Sequence, residues 1–286
     1  MKKLVLVLGL MILCAGYAFA NCDYSSMCAP KAYDLSSHSG QITSKVTGLT
    51  FLSEKIAQLI IKKELKKATK ERFRVEIKSY SPLDLLNGRF KSLKISGRNL
   101  EIEGAYINYL EAKTLCDFNY IQIYKNSIKF KENMLLTYAV EISNSDLQKT
   151  IKSTGYLDML NKIKLSSMGI TFFKLDSADV QIKNNKLYFT VNVTTPLSAK
   201  PIPICVRSDI KVEEGNIVLT KIDLVNVYTV LDISKITYLL NALNPLTFSI
   251  DILNNKDAKM KVQTVDIKDN RIYIKGIIFI PKNTVS

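Results

Sequence analysis

Alternating apolar and polar residues dominate the chain after residue 70. Phe73, Val75 and Ile77 would lie on one side of an extended segment, with charged residues on the other side. Residues 186–193 and 272–280 repeat this period of two. One-sided alternation is typical of antiparallel strands with one face in water, so we expect a mainly antiparallel sheet.

Short polar segments between these stretches predict hairpin turns, because Asn, Asp and Gly readily adopt the backbone conformations that tight turns require. The predicted turns are Asn184-Asn185, Glu214-Gly215-Asn216 and Asp269-Asn270. Further strands are predicted over residues 89–96, 99–104 and 107–115, with bends at Gly97 and Gly104. Just before them, Ser81 is predicted to cap a single helical turn that starts at Pro82 and leaves through Gly88.

Helical spacing of apolar residues predicts a long helix over residues 51–70. It has two apolar rows, which predict a wide buried face. The first row is Leu52, Ile56, Leu59 and Ile60, and the second is Ala57, Ile61, Leu65 and Ala68. Lysines occupy the remaining side and crowd the C-terminal half, where the helix dipole favours positive charge.

Two later segments also predict helices. Residues 143–164 open with a capping arrangement of Ser143 and Asp146 and should break into two short helices at Gly155. Residues 232–243 begin at the potential cap Asp232 and should stop at Pro245. The apolar stripe of this last helix is Ile236, Leu239, Leu240 and Leu243.

Helices and groups of strands follow one another without the strand–helix–strand alternation of a parallel sheet. The predicted fold is therefore α+β, a long curved antiparallel sheet wrapped around amphipathic helices. Residues 46–286 would form this one domain. Residues 21–45 show no periodicity and are predicted to be a loose N-terminal segment.

The first twenty residues have the pattern of a secretory signal peptide. Lys2 and Lys3 precede an apolar run too short for a comfortable membrane span, and Ala18-Phe19-Ala20 is a typical cleavage site. We expect cleavage after Ala20, the alternative being an uncleaved N-terminal anchor. Export would place the protein in the periplasm or cell envelope of a bacterium.

The formal net charge is +14, and removal of the two lysines of the signal peptide would leave +12. For an exported protein, such charge favours anionic lipid or polymer over chromosomal nucleic acid as a partner. The alternative is that the lysines reflect coding bias and only solvate the surface.

Four cysteines follow the signal peptide, and an even number in an exported chain predicts two disulfides with three possible pairings. One pairing would join Cys22 to Cys28 and Cys116 to Cys205. The alternative is free buried thiols. A metal site is not expected, because His38 is the only histidine and no CxxC motif occurs. No cofactor is predicted either.

The stretch SPLDLLNGRFKSLKISGRNLEIEGAYINYLEAKTL, residues 81–115, resembles the core of the LmeA-like phospholipid-binding family. That family has a Leu-Leu-x-Gly turn followed by strands separated by glycines. The residues that match its pattern are Leu85, Leu86, Gly88, Ile95, Gly97, Leu100, Gly104 and Leu110. Weaker similarity extends over residues 46–281, where Asn244 replaces a leucine of the family's Leu-Pro segment.

This resemblance implies a bacterial envelope protein that binds phospholipid and, in actinobacterial members, a role in lipoglycan maturation. It also implies kinship with tubular lipid-binding folds, in which a sheet wraps a helix around an acyl-chain cavity. We therefore expect an apolar slot between sheet and helix, with a basic rim toward anionic head groups or a membrane surface. The candidate slot residues are Leu52, Ile56, Leu59, Ile60, Leu86, Ile236, Leu239, Leu240 and Leu243. The candidate rim residues are Lys62, Lys63, Lys66, Lys67 and Arg89.

Other functions have less support in the sequence. No nucleophile elbow, phosphate loop or HExxH motif occurs, and the carboxylates are scattered, so we do not expect an enzyme. No recognised nucleic-acid-binding module occurs. The stronger alternative is a structural or protein-binding module of the envelope, whose protein partners the sequence does not identify.

Overall fold

The computed structural model describes residues 24–28, 35–124, 127–162, 174–194, 200–225, 237, 240–241, 244–253 and 258–284. The helices are α1 (His38–Val46), α2 (Leu49–Thr69), α3 (Pro82–Leu86), α4 (Asn144–Ile151), α5 (Thr154–Lys162) and α6 (Pro245–Leu253). The strands are β1 (Phe73–Lys78), β2 (Arg89–Phe90), β3 (Ser92–Ile102), β4 (Ala105–Thr114), β5 (Asn119–Tyr124), β6 (Ser127–Phe130), β7 (Met134–Ser143), β8 (Lys174–Lys183), β9 (Lys186–Thr194), β10 (Ile202–Glu213), β11 (Asn216–Leu224), β12 (Lys259–Lys268) and β13 (Arg271–Ile280).

Three antiparallel sheets contain all of these strands. The largest has the order β1-β3-β4-β7-β13-β12, the second the order β11-β10-β9-β8, and the smallest the order β2-β5-β6. The mixed helix and antiparallel-sheet composition confirms the α+β class. The predicted turns at Asn184-Asn185, at Glu214-Gly215 and at Asp269-Asn270 are also confirmed, and all six residues have positive φ.

The main core lies where the two larger sheets approach each other. Leu100, Ile142 and Ile274 from the first sheet and Leu187 and Phe189 from the second belong to one buried cluster. Helix α4 packs on β8 as well as on β4, and its capping box of Ser143 and Asp146 is the predicted one. These contacts join the second sheet to the first through a shared apolar interior.

A second core cluster lies at the β1 end of the large sheet. Val75, Ile77, Phe90, Leu93 and Leu136 are buried there, and α2 covers them from one side. Because β1 is the first strand of the sheet order, α2 sits at the sheet's margin.

Two glycine predictions are wrong. Gly97 does not bend the chain but lies within the continuous strand β3, where a Cβ would come within 2.8 Å of the Leu100 Cδ2 atom. The absence of a Cβ at Gly97 therefore leaves room for the buried side chain of Leu100. Gly155, predicted to break residues 143–164 into two helices, lies inside α5, and the break falls at Lys152 and Ser153. Pro245, predicted to stop a preceding helix, itself begins α6, because the missing N–H of proline is not needed in the first turn of a helix. The predicted helix over 232–243 lies almost wholly outside the described residues.

The N-terminal segment is more ordered than its lack of periodicity predicted. Residues His38–Val46 form α1, which is capped by the Ser37 side chain. A disulfide joins Cys28 to Cys116, with Cα atoms 5.5 Å apart. The pairing of Cys116 with Cys205, and of Cys22 with Cys28, is therefore wrong, and Cys22 itself lies outside the described residues.

Candidate membrane-binding surface

The second apolar row of helix α2 packs against the sheet. Ala57, Ile61 and Leu65 pack against the second core cluster. The carboxylate of Glu54, on the same side of the helix, accepts hydrogen bonds from the Ser79 backbone N–H at 2.6 Å and from the Ser79 Oγ at 3.0 Å. Since Ser79 follows β1 directly, these bonds set the rotation of α2 about its own axis.

The first apolar row of α2 consequently faces away from the sheet. Its side chains are between 54% and 65% exposed, as is that of Leu49 one turn earlier. We call Leu49, Leu52, Ile56, Leu59 and Ile60 the apolar stripe. Four of these residues were predicted to line a slot between sheet and helix. The structure places them on the outer surface instead, because a helix that covers one strand at a sheet margin can bury only one of two rows.

Helices α1 and α3 extend this exposed apolar surface. Ile42 and Val46 of α1 and Leu83 and Leu86 of α3 are exposed, the last to 83%. Their neighbour Leu85 packs against the second core cluster, so the three leucines of α3 do not share one environment. Helix α3 packs against α2, so the apolar surface spans three helices.

Polar contacts fix α1 and α3 at the same end of α2. The buried carboxylate of Asp84 accepts hydrogen bonds from the Ser36 backbone N–H at 3.2 Å and from the Ser36 Oγ at 2.6 Å. The Thr50 hydroxyl at the start of α2 lies 3.0 Å from the Ser44 hydroxyl of α1. Serine and aspartate side chains thus hold the entry to α1 against α3.

Lysines cluster at the other end of α2. Lys63, Lys66 and Lys67, which were predicted to form a basic rim, are exposed, and Lys62 is half-buried. Lys67 forms an exposed ion pair with Glu64 at 3.0 Å. Residues 38–70 as a whole contain seven lysines and two glutamates, and Glu54 faces the sheet. The surface of α1 and α2 is therefore strongly cationic as well as apolar.

Of the other predicted site residues, the structure describes Leu240 and Arg89. Leu240 is 2% exposed and belongs to the main core cluster. Ile236, Leu239 and Leu243 lie outside the described residues. The Arg89 guanidinium lies 5.9 Å from the centre of the Tyr120 ring, in β5.

The part of the chain that the structure describes also forms two surface cavities elsewhere. One, of about 310 Å³, lies between β10, β11 and β12 and includes Asp209, Lys211 and Lys221 in its wall. The other, of about 210 Å³, is bounded by Glu111, Thr137 and Lys275 among others. Neither is lined by a residue that was predicted to contact lipid, and charged side chains line both.

The described residues contain no cluster of histidine, cysteine or acidic side chains that could hold a metal ion. Within the same part of the chain, none of the helices has the length and apolar character needed to cross a bilayer. No protein-family model, curated protein or solved structure matches this chain. The resemblance to LmeA-like proteins therefore stays a prediction.

Periodicity alone missed part of the surface. Ile42 lies in the segment predicted to be loose and Val46 directly follows it, while Phe51 falls between the two rows of α2 although it is exposed. The signal that could have identified them is composition, because residues 38–53 contain Lys45 as their only lysine or arginine and no acidic residue.

Proposed function

We propose that this protein is exported to a bacterial envelope and binds anionic phospholipid membranes through the apolar stripe and the lysines of α2. The observation that carries the proposal is the exposure of five large aliphatic side chains on one helix face beside a lysine cluster. Contiguous exposed apolar surface of this kind marks interaction sites. Amphipathic helices that bind membrane surfaces combine such a face with lysines.

Energetics favour a bilayer as the occupant of this surface. Full burial of a Leu or Ile side chain from water stabilises by about 1.5–3 kcal/mol, so each half-exposed stripe residue offers roughly half of that. Each lysine near an anionic membrane contributes about 1 kcal/mol more. The apolar stripe would thus supply much of the binding free energy, and the lysines would supply a preference for anionic lipid.

The Cys28–Cys116 disulfide supports the exported location, since disulfides persist in oxidising compartments. The resemblance of residues 81–115 to LmeA-like proteins supports phospholipid as the ligand class. A lipid slot between sheet and helix belongs to the same proposal. The exposed position of Leu52, Ile56, Leu59 and Ile60 gives more support to binding at the surface.

Vesicle sedimentation tests the proposal. The purified protein is mixed with vesicles of phosphatidylcholine alone or with increasing phosphatidylglycerol, at low and at high salt. We expect the bound fraction to rise steeply with phosphatidylglycerol, because several lysines would act together. Added salt should reduce binding only in part, because burial of the apolar stripe is not screened.

Two results would contradict the proposal. The first is that the protein fails to sediment with either type of vesicle. The second is a detergent-free preparation in which the apolar surface is occupied by a stable protein partner, which would favour the structural or protein-binding alternative. Phospholipid released when such a preparation is denatured, at about one molecule per chain, would instead support a slot.

A further inference from the structure

The outer face of α2 changes character along its length. Residues three or four apart are neighbours on one side of a helix, and the side that carries Leu52, Ile56, Leu59 and Ile60 continues with Lys63, Glu64 and Lys67. All of these side chains are exposed. The N-terminal half of this side is therefore mainly apolar, with the exposed Lys55 at its edge, and the C-terminal half is mainly cationic.

The N-terminal end of α2 lies beside further exposed apolar residues, which belong to α1 and α3. Gly48, with φ of 74°, turns the chain from α1 into α2, and Val46 before it and Leu49 after it are both exposed. The exposed leucines of α3 belong to this end as well, because Ser36 before α1 binds Asp84 of α3. We call the exposed aliphatic side chains of α1, α3 and residues 49–60 the apolar corner. The exposed Lys45 and Lys55 of the same segments would have to extend their amino groups to the phosphate level.

Docking with α2 parallel to the membrane would be costly. The orientation that directs Leu52 and Ile56 into hydrocarbon would direct Lys63 and Lys67 there too. A lysine at hydrocarbon depth is expensive, whereas one at the phosphate level keeps its charge hydrated while its methylenes contact apolar groups. A tilt that raises the C-terminal half of α2 satisfies both kinds of side chain.

We infer that the protein docks on an anionic phospholipid bilayer with its apolar corner entering first, which we call corner-first docking. The apolar corner enters the acyl region of one leaflet, α2 leaves it obliquely, and Lys63, Lys66 and Lys67 lie among the phosphates. The apolar part of α2, residues 49–60, is about 18 Å long at 1.5 Å per residue, similar to half of a hydrocarbon core of about 30 Å. This inference rests on the proposed membrane binding and adds its orientation.

The chain contains no tryptophan, so single tryptophan variants report position without background. Leu52→Trp, Leu59→Trp and Lys66→Trp place the probe at seven-residue steps along one side of α2, about 10 Å apart. All three positions are exposed, so the fold should tolerate them. Leu157→Trp in α5, also at an exposed position, is the matched control.

Each variant is bound to phosphatidylglycerol vesicles that carry bromine at a shallow or a deep position of the acyl chain, and fluorescence quenching is measured. We expect quenching by deep bromine to decrease from position 52 to 59 to 66, by at least about twofold overall, because tilt separates their depths by most of a leaflet. The control should be unquenched. Equal quenching at the three positions would overturn corner-first docking and leave membrane binding intact.

Two other results would overturn the inference together with the proposed function. One is the absence of any quenching, with all variants left in the supernatant. The other is a blue-shifted, concentration-dependent emission of Leu52→Trp without lipid, which would show that a second copy of the chain covers the apolar corner.

Discussion

Glu54 determines which side of α2 meets the sheet. It is the one acidic residue in the N-terminal half of the helix, and its carboxylate accepts two hydrogen bonds from Ser79 next to β1. Periodicity could not identify this role, because a glutamate between apolar positions resembles any solvated residue. With Glu54 held inward, the apolar stripe must point outward.

Removal of the Glu54 carboxylate should weaken the packing of α2 on the sheet. Glu54→Ala is expected to lower the free energy of unfolding by about 1–3 kcal/mol, because it leaves a part-buried backbone N–H without its charged acceptor. Urea denaturation measures the change. Glu64→Ala on the exposed side of the same helix is the matched control and should change the stability by less than about 1 kcal/mol. Equal effects of the two substitutions would show that Glu54 does not position the helix.

The surroundings of Asp209 in the second sheet predict that the stability of the protein depends on pH. The hydrogen bond of Asp209 with Lys186, and then its contact with Lys221, lower the pKa of the Asp209 carboxyl. A lowered folded-state pKa contributes stability above the unfolded-state pKa of about 3.9, and that stability is lost as pH falls through the folded-state pKa. Asp209→Asn should therefore lose stability at pH 6 but fall less steeply between pH 5 and pH 3. Parallel stability curves for the two proteins would contradict this assignment.

At the scale of elements, α1 depends on its tethers more than on its own packing. None of its residues is buried, and an isolated nine-residue helix is marginal in water. Two hydrogen bonds hold it, one from the Ser36 hydroxyl to the Asp84 carboxylate and one between the Thr50 and Ser44 hydroxyls. Upstream, the Cys28–Cys116 disulfide anchors the chain that leads into α1. Removal of these tethers should release α1 without unfolding the sheets.

Removal of the disulfide tests that dependence. Cys28→Ser/Cys116→Ser opens a connection across 88 residues and should lower the free energy of unfolding by about 2–4 kcal/mol. Hydrogen exchange should accelerate most in residues 38–46 and less in β9 and β10, which lie outside the cluster around the disulfide. Uniform acceleration in all these elements would show that α1 is not specifically dependent on the disulfide.

The sequence was sufficient to predict those elements whose signals are local. The bounds of α2, the cap at Ser143 and the turns with paired asparagines all depend on neighbouring residues and were predicted well. The continuity of β3 through Gly97 and the partner of Cys116 depend on residues that are distant in the chain. Spacing marks apolar residues but not their neighbours, so it could not show that only one row of α2 would be covered.

At the scale of the whole molecule, two sheets share a core and leave α2 at the margin of the larger one. The second sheet packs against the β12 side and α2 against β1, at opposite ends of the strand order. The exposed helix face is therefore a consequence of topology. The high positive charge of the chain would then assist the approach of this face to an anionic surface.

Partition of paired variants to vesicles tests this account most directly. Ile56→Ser/Leu59→Ser removes two stripe side chains, and Leu157→Ser/Val225→Ser removes two aliphatic side chains of 42% and 52% exposure elsewhere. At about 1 kcal/mol for each stripe residue, the first variant should bind phosphatidylglycerol vesicles at least roughly tenfold more weakly than the unmodified protein, while the second binds normally. Equal partition of both variants, with unchanged unfolding curves, would contradict the assignment of α2 as the membrane-binding surface.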